Sequence, residues 1–120
     1  MAVRAVRGAT RLAADSVVEM TEAVRELLLE MLAQNELTTD DVISVLFTAT
    51  PDLVCGFPAA AAREIGFADV PLICAQEIDV PAALPRVVRI MAHIETDRPR
   101  SEVNHVFLRG AQILREDLHR

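Results

Sequence analysis

Residues 15–35, DSVVEMTEAVRELLLEMLAQN, constrain the fold more than any other stretch of the chain. Val17, Met20, Val24, Leu27, Leu28, Met31 and Leu32 recur at helical spacing, which predicts a helix with one apolar stripe. Ser16 with Glu19 has the pattern of a capping box, and Asn35 suits the end of the helix. Such a stripe must be buried against a second element. The next apolar run, VISVLFTAT at 42–50, is β-branched and almost free of polar side chains, as a strand buried on both faces would be. Helix against sheet is therefore the expected arrangement.

The remaining segments extend it. AVRAVR at 2–7 alternates and is followed by Gly8, which predicts a strand. TTDD at 38–41 reads as a turn or a single helical turn, and PDL at 51–53 ends the second strand. FPAAAAREIGF at 57–67 reads as a short helix, with Pro58 in its first turn, Gly66 at its C-terminal cap and Phe57 as a hydrophobic staple. VPLICAQEI at 70–78 predicts a third strand, DVPAALP a loop, RVVRIMAHIET at 86–96 a fourth strand, and NHVFLR at 104–109 a fifth. DRPRSEV between the last two is a turn with a short helical piece, and the tail GAQILREDLHR has no assigned element. The order is β-α-β-α-β-β-β. That predicts an α/β, α+β-like fold: a mixed five-stranded sheet with two main helices in one domain over residues 1–120.

Composition excludes several functions. With 52% hydrophobic residues but only 3% aromatic ones, and no Trp or Tyr, the core must be aliphatic and few rings are left to stack on bases. A formal charge of -6 argues further against nucleic acid and against an anionic membrane surface. An anionic ligand would need arginines gathered locally, since screening confines fields to about 8 Å at physiological salt. Cys55 and Cys74 form no CxxC and read as two free thiols in a reducing cytoplasm. MAVRAVRGAT contains no signal-peptide core, and no apolar run has the length of a membrane span. His93, His105 and His119 lack metal-ligand spacing, the glycines form no phosphate loop, and no nucleophile motif is present. Neither a metal nor a cofactor is expected.

One stretch stands apart. ICAQEIDVPAALPRVVRI, 73–90, is apolar and sheet-like, yet carries Glu77, Asp79, Arg86 and Arg89. Taken singly, Arg4, Arg7, Arg63, Arg86, Arg89 and Arg115 read as solvated or snorkelling side chains. Glu77 alone reads as a surface carboxylate and Cys74 as a small core residue. Strand parity also separates 74 from 77: a regular strand points them to opposite faces, and they share a site only if the strand ends or bulges between them.

Taken together, the segments have a familiar order. VRGAT (6–10), TATPDL (48–53), FPAAAARE (57–64), VPLICAQEIDV (70–80), LPRVVRIM (84–91), TDRPR (96–100), HVFLRGAQILR (105–115) and DL (117–118) follow one another at family spacing. In these the sequence resembles the monofunctional chorismate mutases of the AroH class, over nearly the whole chain. The resemblance implies a homotrimer packed as a pseudo-α/β barrel, with active sites between neighbouring subunits. It implies an isomerase that converts chorismate to prephenate on the shikimate route to phenylalanine and tyrosine, without a cofactor.

By the same resemblance, Arg7 and Arg63 lie near the substrate carboxylates and Arg89 at the ether oxygen. Glu77 and Cys74 lie near the ring hydroxyl, Phe57 and Leu114 at the pocket wall, and Arg115 at the mouth. Phe57 and Arg63 would come from the neighbouring chain. Arg89, Glu77 and Arg7 would carry the catalysis, and Arg86→Lys, three residues before Arg89, is expected to leave turnover nearly unchanged. Three positions depart from the family: Phe107 replaces a Tyr whose hydroxyl would meet a carboxylate, Ala60 stands where some members have Lys, and Ile73 where some have Thr. The alternative reading is a non-catalytic trimeric protein that binds a small metabolite on the same fold, and Phe107 is the departure that supports it.

Overall fold

The computed structural model describes residues 1–114. Five strands and two helices follow in the expected order: β1 (Ala2–Arg11), α1 (Val17–Gln34), β2 (Val42–Ala49), α2 (Pro58–Glu64), β3 (Leu72–Gln76), β4 (Val87–Thr96) and β5 (Val106–Phe107). Short 3-10 turns cover 39–41 and 100–102. The sheet order is β3-β2-β4-β1-β5. β4 runs antiparallel to β1 and β2, whereas β2–β3 and β1–β5 are parallel, so the sheet is mixed.

Local chemistry explains the elements and their lengths. Ser16 Oγ accepts from the Glu19 backbone N–H at 3.1 Å, which starts α1. Only half of the predicted box forms, because the Glu19 carboxylate turns to the Ala13 N–H and to Arg109. Asn35 closes the helix: its side-chain amide donates to Met31 O and Asn104 O and accepts from Asn104 N–H, so it also ties α1 to the approach to β5. β1 continues past Gly8 because β4 pairs with it in unbroken register from Ala2↔Thr96 to Arg11↔Val87. Gly8 is small for a packing reason: a Cβ there would lie 2.5 Å from Met31 Sδ, so α1 could not rest on the strand. Gly66 has φ +104° one residue past the α2 cap, a conformation that glycine adopts without strain.

Both helices cover one face of the sheet. Val6 from β1, Val45 and Phe47 from β2, and Val88, Ile90, Ala92 and Ile94 from β4 join Val24, Leu27 and Leu28 of α1 and Ala59 and Ala62 of α2 in one core. The opposite face is open. This corrects the expectation for β2, whose Ile43 and Leu46 are exposed. Its sequence is apolar throughout because both faces are apolar, but the described chain covers only one. Phe57 is 73% exposed, so its ring is not buried against α2 as a hydrophobic staple would be. β5 is two residues rather than six: after the bond from Leu108 N–H to Ala9 O, the chain turns through left-handed Arg109 and Gly110. No helix among the described residues is long and apolar enough to cross a membrane.

Candidate active site

The open face is where the charged residues of 73–90 come together. In the ladders, Thr48 of β2 and Ala9 of β1 flank Arg89 of β4. The Glu77 N–H bonds to Ala49 O at 2.9 Å, which carries the β2–β3 pairing one residue past β3. Its alternation puts the Glu77 carboxylate over Thr48 and Arg89. Thr48 Oγ donates to Glu77 Oε2 at 2.6 Å, and Arg89 Nε lies 2.9 Å from the same oxygen. The side chains are 38% exposed for Arg89 and 20% for Glu77, so water competes only in part. The Arg89 Nε atom is itself buried and its N–H is not directed at the carboxylate, so the contact is a close charge pair without an aligned hydrogen bond. A guanidinium held this way keeps a donor available to a third group.

Arg7 joins from β1, two residues from Ala9 and on the same face. Its guanidinium carbon sits 5.8 Å from the centre of the Phe107 ring, a cation–π contact. Its backbone N–H donates to His105 Nδ1 at 2.9 Å, which requires that nitrogen to be unprotonated. Burial, and then the Arg7 charge, hold the His105 imidazole below the ordinary histidine value, so the acceptor state is favoured. Arg7, Thr48, Glu77, Arg89, Met91 and Phe107 together border a cavity of about 260 Å³. One carboxylate and two guanidinium groups in a partly apolar hollow can hold a small anion that also bears a hydroxyl.

The other predicted residues are elsewhere in the chain. Cys74 pairs with Phe47 and packs toward the helix-covered core, so parity keeps its side chain off the face of Glu77. It borders a second cleft, of about 360 Å³, with Leu53, Val54 and Phe57. Arg63, at the end of α2, is exposed and borders neither hollow. Leu114 is half-buried against Ala9, Phe107 and Ala111, beside the Arg7 cavity. Arg115 lies outside the described residues.

Two residues play parts the sequence reading did not give them. Thr48, whose hydroxyl bonds to Glu77, had a signal in its position: it interrupts an apolar strand one turn of the pleat before TPD. Arg86 has a structural part. Its Nε donates to Leu12 O at 2.9 Å and its N–H to Asp52 Oδ2 at 3.0 Å, with φ at +55°.

The chain is similar to known proteins over nearly its whole length. The family described as chorismate mutase type I matches residues 3–118. The chain belongs to this family. A relative named chorismate mutase AroH, from Thermus thermophilus, is 47% identical over 117 residues, covering 97% of this chain and 96% of its own. Another of the same name, from Bacillus subtilis (strain 168), is 39% identical over 119 residues, covering 98% and 94%. A solved structure of a chorismate mutase from Clostridium thermocellum superposes with a TM-score of 0.90 at 42% identity, over 92% of this chain and 98% of that one. Within the type I chorismate mutase family, then, this chain shares its mixed sheet and two helices with a solved chorismate mutase.

Proposed function

We propose that the chain is a chorismate mutase that uses the Arg7–Glu77–Arg89 face for catalysis. The observation that carries this reading is the Arg89 guanidinium, fixed against Glu77 and Thr48 and facing the same cavity as Arg7. The rearrangement breaks one C–O bond as a C–C bond forms, within one molecule. It needs no proton transfer and no covalent intermediate. The protein has two ways to accelerate it. Arg7 and Arg63 can hold the two carboxylates so that the enolpyruvyl group lies over the ring in a near-attack conformer. Arg89 can donate to the ether oxygen as negative charge grows there, and preorganised donors of this kind are worth about 2.7–4 kcal/mol. Glu77 orients Arg89 and accepts from the ring hydroxyl. Turnover should then be flat between about pH 6 and 9, because no general acid or base is used. A limb near neutrality in the pH profile contradicts the mechanism.

The assembly is part of the proposal. Val3, Leu46, Ile73 and Met91 are exposed on the uncovered sheet face, and such a patch calls for a partner surface. β3 and β5 are also the end strands of the sheet among the described residues. A homotrimer would cover this face and bring Phe57 and Arg63 of a neighbour against the Arg7–Arg89 cavity. Leu114 and Arg115 would close its mouth, and Cys74 would border it from the Phe57 cleft. The cytoplasm is the proposed compartment, in keeping with two free thiols. A binding protein that has lost its chemistry is not favoured, given the paired Arg89 and Glu77 and the family match over nearly the full length.

The direct test is to add purified protein to chorismate and follow the loss of its absorbance, which a chain without Trp or Tyr barely obscures. Conversion at no more than the spontaneous rate overturns the reading. Sedimentation of an active monomer overturns the shared site alone.

A further inference from the structure

Three arginines gather at a second place, outside the cavity just described. Arg11 ends β1, Arg86 precedes β4, and Arg109 follows β5. With Leu12, Ala13 and Glu19 they border an open cleft of about 590 Å³. We propose that this cleft is an anion-binding site, separate from the Arg7–Arg89 cavity, that takes the carboxylate or phosphate group of a small metabolite.

Three observations carry it. The first is a buried donor: Arg11 Nε is shielded from solvent and has no hydrogen-bond partner among the described residues. A buried guanidinium N–H without an acceptor is costly, and native chains rarely leave one without a reason. The second is uncompensated charge. Arg109 is neutralised by Glu19 and Glu26, at 3.2 and 3.0 Å, and these contacts fix it as a wall of the cleft. Arg11 and Arg86 have no ion-pair partner among the described residues. Two guanidinium groups without an ion pair among the described residues therefore stand together on a chain whose net charge is -6.

The third is backbone conformation. Arg86 and Arg109 both adopt positive φ, at +55° and +53°. Glycine or asparagine would sit there with less strain, so arginine at both positions points to the side chain as the gain. Arg86 is also held rigidly. Leu12 N–H donates to Arg86 O at 2.8 Å, and Arg86 Nε returns a bond to Leu12 O at 2.9 Å. The Nε is used in this way, which leaves the outer guanidinium nitrogens for a ligand. An oxyanion in the cleft would accept from the outer guanidinium nitrogens of Arg86 and, once the Arg11 side chain turns its unpartnered donor outward, from Arg11 as well, the forked geometry that carboxylate and phosphate share.

The proposal does not depend on the catalytic reading, and the test keeps the two apart. Inorganic phosphate and succinate are titrated in turn into the full chain by calorimetry, at ionic strength held constant with chloride. One or both should bind saturably, and the arm that binds more tightly identifies phosphate or carboxylate as the natural group. Arg11→Gln should weaken that binding at least tenfold. Its side chain makes no hydrogen bond in the fold, so the variant should unfold at the wild-type urea concentration. Arg89→Gln should leave the binding intact. Heat no greater than that of chloride dilution for both anions overturns the proposal. So does saturable binding that Arg11→Gln leaves unchanged, and binding lost in Arg89→Gln but kept in Arg11→Gln assigns the anion to the substrate cavity instead.

Discussion

Along β4 the two faces of the sheet are made of different material. Val88, Ile90, Ala92 and Ile94, toward the helices, are 0%, 2%, 6% and 1% exposed. Arg89, Met91 and His93, on the intervening positions, face the side that neither α1 nor α2 covers. Strand periodicity lets one segment serve both purposes, because neighbours in sequence never share a surface. The difference teaches that stability and chemistry are carried by alternate residues of the same strands. Variants one position apart should therefore fail in different ways.

The largest effect is expected on the helix side. Phe47, fully buried between β3 and β4, sits one residue before Thr48. Phe47→Ala should cost about 3–5 kcal/mol in urea unfolding, from lost burial and the cavity left behind. Thr48→Val should leave that stability nearly unchanged and slow turnover, because it removes only the hydroxyl that holds Glu77. Equal losses of stability in both variants would break the comparison.

The next effect is on the open side alone. Arg89→Lys keeps the charge but loses the planar donor, so turnover should fall at least about 10²-fold while the unfolding midpoint stays put. Arg86→Lys should do the reverse. It loses the bond to Leu12 O and should cost about 0.5–1.5 kcal/mol of stability with turnover kept. Steady-state kinetics and urea unfolding on both variants decide it. An Arg89→Lys enzyme with more than a tenth of wild-type turnover would show that Arg89 is not the key cation.

This separation of faces also explains what the sequence could disclose. The α1 stripe, the proline and glycine at the ends of α2 and the order of the strands follow from local patterns, and each is present in the fold. Parity alone put Cys74 and Glu77 on opposite faces. What stayed hidden depends on contacts between distant segments. The capping carboxylate of Glu19 is taken by Arg109, ninety residues away. The structural part of Arg86 was not legible because Leu12 and Asp52, its partners, are remote in sequence. Phe57 resembled a staple because sequence shows an apolar ring before a helix, not the direction in which it points. The apolar outer side of β2 was read as burial, and the described chain leaves it uncovered.

A pH experiment sharpens the comparison at the edge of the sheet. His105 must be neutral at Nδ1 to accept from the Arg7 N–H, and its folded-state value lies below the ordinary one. Unfolded chain therefore binds the proton more readily. The contribution to stability is complete above the ordinary histidine value, near about 6.5, and is lost as pH falls from there through the folded value. The urea midpoint should drop across that window in the wild type. His105→Asn, which can still accept but does not titrate there, should flatten the drop. A midpoint equally steep in both proteins would place the titration elsewhere.

The smallest effect concerns the one aromatic ring in the cavity. Phe107 is buried beneath Arg7, between Ala9 and Leu114, and it borders the cavity that also holds Glu77 and Arg89. Phe107→Tyr adds a donor beside a group proposed to bind a substrate carboxylate. One new hydrogen bond should tighten binding by about 0.5–1.5 kcal/mol, a fall in KM of roughly twofold to tenfold. The gain should be in KM with kcat unchanged, because the carboxylate carries the same charge in the ground state and in the transition state, so binding is uniform. The ring's contact with Arg7 should survive, since a phenol face attracts a cation as a phenyl face does. Steady-state kinetics on chorismate measure both constants. A lower kcat with KM unchanged would mean that the hydroxyl displaces Leu114 or shifts Arg7 instead of meeting substrate. In that case the open face tolerates change no better than the helix-covered face, and the division between them fails at its most buried point.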